Sequence, residues 1–114
     1  MIQGRLPSVA AAICALSVAL GAYASHVAST QDQKHLAIAA IFAFANGLAL
    51  IVISPRDSRL ATISKSCLLA GIILFSGSLA GAGLFSTPTG AAPMGGSLLI
   101  LGWLLAAADY WRKP

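Results

Sequence analysis

Four uninterrupted apolar blocks set the terms for this chain: residues 8–28, 35–53, 64–85 and 92–111, each about twenty residues long. A helix rising ~1.5 Å per residue needs ~20 residues to cross ~30 Å of hydrocarbon, so each block is close to one membrane crossing. Lipid offers no partners to backbone N–H and C=O groups, and the alternating pattern of a barrel strand is absent; the blocks must therefore be helices. Composition agrees, because only 9% of the residues are charged and 58% are hydrophobic, against roughly a quarter charged in soluble domains. The connecting segments 29–34, 54–63 and 86–91 are too short to hold a soluble or catalytic lobe. The expectation is an all-α integral membrane four-helix bundle, one transmembrane domain over residues 1–114.

Charge placement orients it. Arg5, Arg56, Arg59, Lys65, Arg112 and Lys113 fall on one side of the four blocks, and Lys34 alone on the other. Under the positive-inside rule both termini and the middle loop are cytoplasmic. The net charge of +4 follows from this bias. Scattered at helix ends, these residues form no continuous basic patch, so nucleic acid is not an expected partner. The expected surroundings are a lipid bilayer, crossed several times.

The first block also carries signal-peptide features: Arg5, an apolar core, and Ala22-Tyr23-Ala24 at a small-x-small cleavage site. The segment is present in the chain from Met1 on, and the expectation is a retained span, with cleavage as the alternative.

Chemistry-bearing residues are few. Asp32 and Asp57 lie in loops, and Asp109 lies within a turn of the last block's end. No acid stands at mid-span, where a proton-coupled exporter of this size needs one. His26, Asp32 and His35 are weak candidates for a zinc site near the first connection, but their spacing matches no compact ligand motif. No metal or other cofactor is expected. No nucleophile signature accompanies either histidine. Cys14 and Cys67 form no CxxC pair and read as small buried apolar residues. An enzyme is not expected.

Small residues carry more information. Ser17, Gly21 and Ser25 recur every fourth residue in the first block, Ala39, Ala43 and Gly47 in the second, Gly77 and Gly81 in the third. In lipid, hydrophobicity does not drive helices together, so close backbone approach along such stripes must. Gly21, Ala43, Gly47, Gly77 and Gly81 are thus the expected packing positions. The tightest contact is expected at Gly77 and Gly81, against the first or fourth helix. Asn46, at mid-span beside the second stripe, should point into the bundle toward a polar partner, with Ser76 and Ser78 as candidates.

The stretches LFSGSL at Leu74 to Leu79, Pro93-Met94-Gly95-Gly96 and Leu101-Gly102-Trp103-Leu104-Leu105, with Gly21-Ala22-Tyr23-Ala24-Ser25-His26 in the first block, resemble the YgdD-like family of small membrane proteins, also called transmembrane protein 256 or domain of unknown function 423. The resemblance implies four transmembrane helices, a bacterial inner-membrane or mitochondrial location, and no settled activity. One stretch departs from it. Where the family has a polar run leading to a histidine, this chain has AAIFAFANGLAL with Asn46, an amide that neither titrates near neutrality nor ligates soft metals well. The expected role is that of a non-enzymatic structural or accessory part of a larger membrane complex or self-assembly; the alternative is small-solute or lipid binding and transport.

Overall fold

The computed structural model describes residues 2–27 and 29–114, with side chains from residue 4 onward. Four helices follow one another: α1 (Ile2–Ala24), α2 (Thr30–Ile53), α3 (Arg59–Phe85) and α4 (Ala92–Arg112). All four are long and apolar enough to cross a membrane. The bundle is 47 Å long, close to the ~40–45 Å of a bilayer with its headgroups.

Three of the four helices start before their apolar blocks. α2 and α3 begin five residues before the expected positions 35 and 64, because serines cap them. Ser29 Oγ accepts from the Asp32 N–H, and Ser58 Oγ from the Ala61 N–H. Each satisfies one of the free N–H groups of a first turn, so the helix continues into its polar flank. α1 likewise starts at Ile2 and runs through Pro7. At its other end α1 stops at Ala24; the expected limit, Ala28, lies outside the described residues.

Buried positions recur at spacings of three and four along each helix. In α4 they are Gly95, Leu99, Gly102, Ala106 and Asp109; in α2 the run includes Leu36, Ala39, Ala43, Asn46, Leu50 and Ile53. Such a repeat keeps one narrow seam facing a neighbour. The backbones of α1 and α2, α2 and α3, and α3 and α4 lie close together, whereas among the described residues that of α1 makes no close approach to α3 or α4. One cluster still draws on all four helices, with Leu6 and Ala10 from α1, Leu50 and Ile53 from α2, Leu68 and Ile72 from α3, and Leu99 and Ala106 from α4.

The tightest approach is between α3 and α4, and its glycines are not the expected ones. A Cβ on Gly95 would stand 2.3 Å from the Phe75 backbone N, and one on Gly102 would stand 3.2 Å from the Leu68 N. Gly71, on the facing side of α3, would meet Leu99 at 2.8 Å. Gly77, by contrast, has nothing within 4 Å of its Cβ position. The reason is rotation: six residues beyond Gly71, at ~100° per residue, Gly77 points ~240° away from the α4 contact. Gly81 serves the end of its own helix. Ser86 ends α3 in the left-handed conformation, φ 57°, and the chain folds back so that Thr87 N–H donates to the Gly81 carbonyl at 3.4 Å. A Cβ on Gly81 would lie 2.7 Å from Thr87 Oγ1. The expectation that Gly77 and Gly81 make the closest helix contact is therefore overturned.

The other expected packing positions lie between α1 and α2. The Cβ position of Gly47 is 3.0 Å from Cys14 Sγ and 3.3 Å from the Ala10 carbonyl, and that of Gly21 is 3.6 Å from Ala40 Cβ. Ala43, one turn before Gly47, is buried.

Candidate functional site

Polar side chains gather at the end of the bundle where α2 gives way to α3 and α4 terminates. Arg56, in the loop after α2, donates from Nε to Asp109 Oδ2 at 2.6 Å and from Nη2 to the Lys113 carbonyl at 2.6 Å and the Asp109 carbonyl at 3.3 Å. Its guanidinium also stands 4.0 Å above the Tyr110 ring. Ser58 Oγ donates to the other Asp109 oxygen, Oδ1. Lys65, buried on α3, reaches back to donate to the Ser54 carbonyl at 3.1 Å and the Arg56 carbonyl at 2.6 Å. The C-terminal ends of α2 and α4 expose free carbonyls and the negative ends of their dipoles, and each receives one cation here. Arg56, Asp57, Ser58, Asp109 and Lys113 line a polar cavity of about 270 Å³ between them.

Sequence reasoning missed this cluster. It placed Asp109 near a helix end, where a carboxylate reads as solvated, yet the residue is only 2% exposed. The available signal was one acid in the last turn of a span whose flanking loop on the same side carries Arg56 and Arg59.

Two polar bridges lie deeper. Ser64 Oγ donates to the Gly102 carbonyl of α4 at 2.7 Å, a bond that the bare glycine makes reachable. Trp103 Nε1 donates to Asn46 Oδ1 at 2.8 Å, and Asn46 Nδ2 to its own helix's Phe42 carbonyl at 2.7 Å. The partner of Asn46 is thus an indole on α4, in place of the two expected serines. Ser76 Oγ and Ser78 Oγ are buried with no hydrogen-bond partner. Trp103 reaches Asn46 across a groove of about 470 Å³ between α2 and α4, walled by Phe42, Phe75, Leu99 and Leu104.

The weak metal candidates stay apart. His26 is exposed in the turn after α1, where its N–H donates to the Tyr23 carbonyl at 3.0 Å. Asp32 lies in the capped first turn of α2, and His35 Nε2 lies 3.2 Å from Gln31 Nε2. Among the described residues no group of three or more His, Cys, Asp or Glu side chains is placed to hold a metal ion. Cys14 and Cys67 are both free, and Cys14 Sγ points at the Phe44 carbonyl at 3.7 Å.

The profile of a family described as "Protein of unknown function (DUF423)" matches residues 20–96, from the second half of α1 into α4. The chain belongs to the DUF423 family. A UPF0382 membrane protein of Haemophilus influenzae is 30% identical over 105 residues, which span 84% of this chain and 85% of that relative. No solved structure matches. The DUF423 segment includes Asn46, Gly71 and Gly95, while Trp103 and Asp109, which complete the deep bridge and the ion pair, lie beyond it. This DUF423 chain is a membrane protein whose four apolar helices form a bundle.

Proposed function

We propose that this DUF423 protein is a non-enzymatic structural or accessory component of the bacterial inner membrane, one that packs its bundle against other membrane helices. The observation that carries this reading is how the polar groups between the helices are used. The buried Asp109, Lys65, Ser64 and Asn46 are each bonded across to another helix or its loop, with Arg56, Ser58 and Trp103 among their partners. An acid saturated by an arginine and a serine is a fastening, and it is poorly placed to shuttle protons. Purification from native membranes in mild detergent tests the reading: a membrane polypeptide in stoichiometric amount is expected. A second reading, binding of a lipid chain or a small apolar solute, is favoured by the groove beneath Trp103. Recovery of such a molecule with no stoichiometric polypeptide would favour it over the first.

The same proposal places both termini in the cytoplasm, supported by the six basic residues on that side. A C-terminal alkaline phosphatase fusion should be inactive and a C-terminal fluorescent-protein fusion bright. High phosphatase activity would refute this orientation.

A further inference from the structure

Because the backbones of α1 and α3 both lie close to α2 and not to each other, a groove of about 330 Å³ runs between them. Ala39 and Ala43 form its floor, Leu16 stands on the α1 side, and Ser76, Gly77 and Ala80 on the α3 side. Ser76 is 6% exposed, yet its hydroxyl has no partner. A serine in a helix commonly turns back to a carbonyl of the preceding turn, as Ser17 and Ser66 do here; Ser76 does not. A buried hydroxyl without a bond is unfavourable, more so with hydrocarbon around it. Beside it, Gly77 has nothing within 4 Å of where a Cβ would stand.

An acyl chain would fill this volume but would bring Ser76 no acceptor. The backbone of a closely approaching helix would. The molecule already uses that bond twelve residues earlier on α3, where Ser64 donates to the Gly102 carbonyl of a helix thinned by glycine. A helix carbonyl retains a second lone pair for such a bond.

One helix face in this chain has the shape required. On α1, Ser8, Ala11, Ala12, Ala15, Ala19 and Ala22 are all exposed and fall within ~100° of arc at ~100° per residue. The outward faces of α2 and α4 instead carry Ile41, Phe44, Leu48, Ile100, Leu101 and Leu104. Only 17% of the apolar stretch of α1 is covered within the chain, against 50% for α2.

We propose that the groove receives α1 of a second copy: its Ser8–Ala22 face lies against Gly77 and Ala80, and Ser76 Oγ, buried within the single chain, turns about its Cα–Cβ bond to donate to one of that helix's backbone carbonyls. The protein thereby assembles with itself in the membrane. This deepens the packing role proposed above by naming the partner, and it rests on that reading.

The test uses the full chain in mild detergent and in liposomes. Light scattering should give the wild type a protein mass of at least two 11.6 kDa chains, and differently labelled copies should show energy transfer in liposomes. The Cβ position of Gly77 has no neighbour within 4 Å in its own chain, so Gly77→Leu should keep the wild-type melting temperature while falling to single-copy mass. Ala15→Leu, on the opposing face, should do the same and serves as the independent variant. Ser76→Ala should weaken association roughly 3- to 30-fold, the worth of one hydrogen bond between membrane helices. A single-copy wild type in liposomes overturns the proposal, as does an unchanged oligomer in both leucine variants. A single-copy wild type that holds a lipid lost in Gly77→Leu also overturns it and assigns the groove to an acyl chain. A single-copy wild type with a different stoichiometric polypeptide removes only the second-copy inference, whereas one with neither partner removes the packing role as well.

Discussion

Gly95→Leu is expected to separate α3 from α4 and to abolish the folded bundle in mild detergent. The Cβ position of Gly95 is 2.3 Å from the Phe75 N and 2.8 Å from both the Leu74 carbonyl carbon and the Phe75 Cα. All three are backbone atoms, which cannot move aside by changing rotamer, so even Gly95→Ala forces the helices apart. Overpacking of this kind costs ~1–3 kcal/mol where side chains can yield, and more where they cannot; Gly95→Ala belongs at or above the upper end. Gly96 supplies the control. Its Cβ position is 3.7 Å from the Phe75 ring, an ordinary contact, and replacing a helical glycine by alanine recovers up to ~1 kcal/mol of propensity. Gly96→Ala should therefore melt at or slightly above the wild-type temperature. Size-exclusion chromatography after stepwise heating would read both variants. A Gly95→Leu protein that elutes and melts like the wild type would sink this account of the α3–α4 contact.

Asp109→Leu should produce the second-largest loss of stability. The substitution keeps bulk at a position only 2% exposed but takes the acceptor from the Arg56 guanidinium and the Ser58 hydroxyl together. Breaking the pair from one side leaves the Arg56 charge, 21% exposed, without its carboxylate and with only two backbone carbonyls and the Tyr110 ring, while removing both partners can be close to neutral. Arg56→Leu combined with Asp109→Leu should accordingly melt higher than Asp109→Leu alone. The loss in the single variant should also exceed that from deleting a neutral bond such as the one from Ser64 to Gly102. A double-mutant cycle measures this directly. If Asp109→Leu matched the wild type, the ion pair would be idle and the cohesion of this end would rest on apolar packing alone.

The number of helices could be read from the sequence because hydrocarbon thickness and backbone hydrogen bonding leave one solution for blocks of that length. Helix starts were less legible. Hydropathy marks where lipid begins, whereas Ser29 and Ser58 carry the hydrogen bonds a turn further into the polar flank. Contact faces were the hardest. Gly77 and Gly81 have the spacing expected of a packing stripe, but spacing says only that two positions share a face and leaves open what that face meets. The pattern that does mark the α3–α4 seam is the three-and-four repeat of Gly95, Gly102 and Ala106 through to Asp109. It was hidden because leucine and an acid are interleaved with the small residues. Asn46 was expected to seek a partner among the serines, while its donor, Trp103, lies 57 positions away on a helix that α2 does not otherwise approach closely.

The ion pair between Arg56 and Asp109 also has an order in time. Arg56 leaves the ribosome 53 residues before the acid that will hold it, an interval of roughly 3–10 s at ~5–20 residues per second. Throughout that interval its guanidinium has no Asp109 to pair with, and the loop can act on membrane insertion with the full charge of that arginine. Only when the last turn of α4 has been made does the same side chain become a clasp. On the orientation proposed above, one residue serves first as a signal for where the chain goes and then as a bond that keeps it there, and the two uses do not compete because the acid is encoded last.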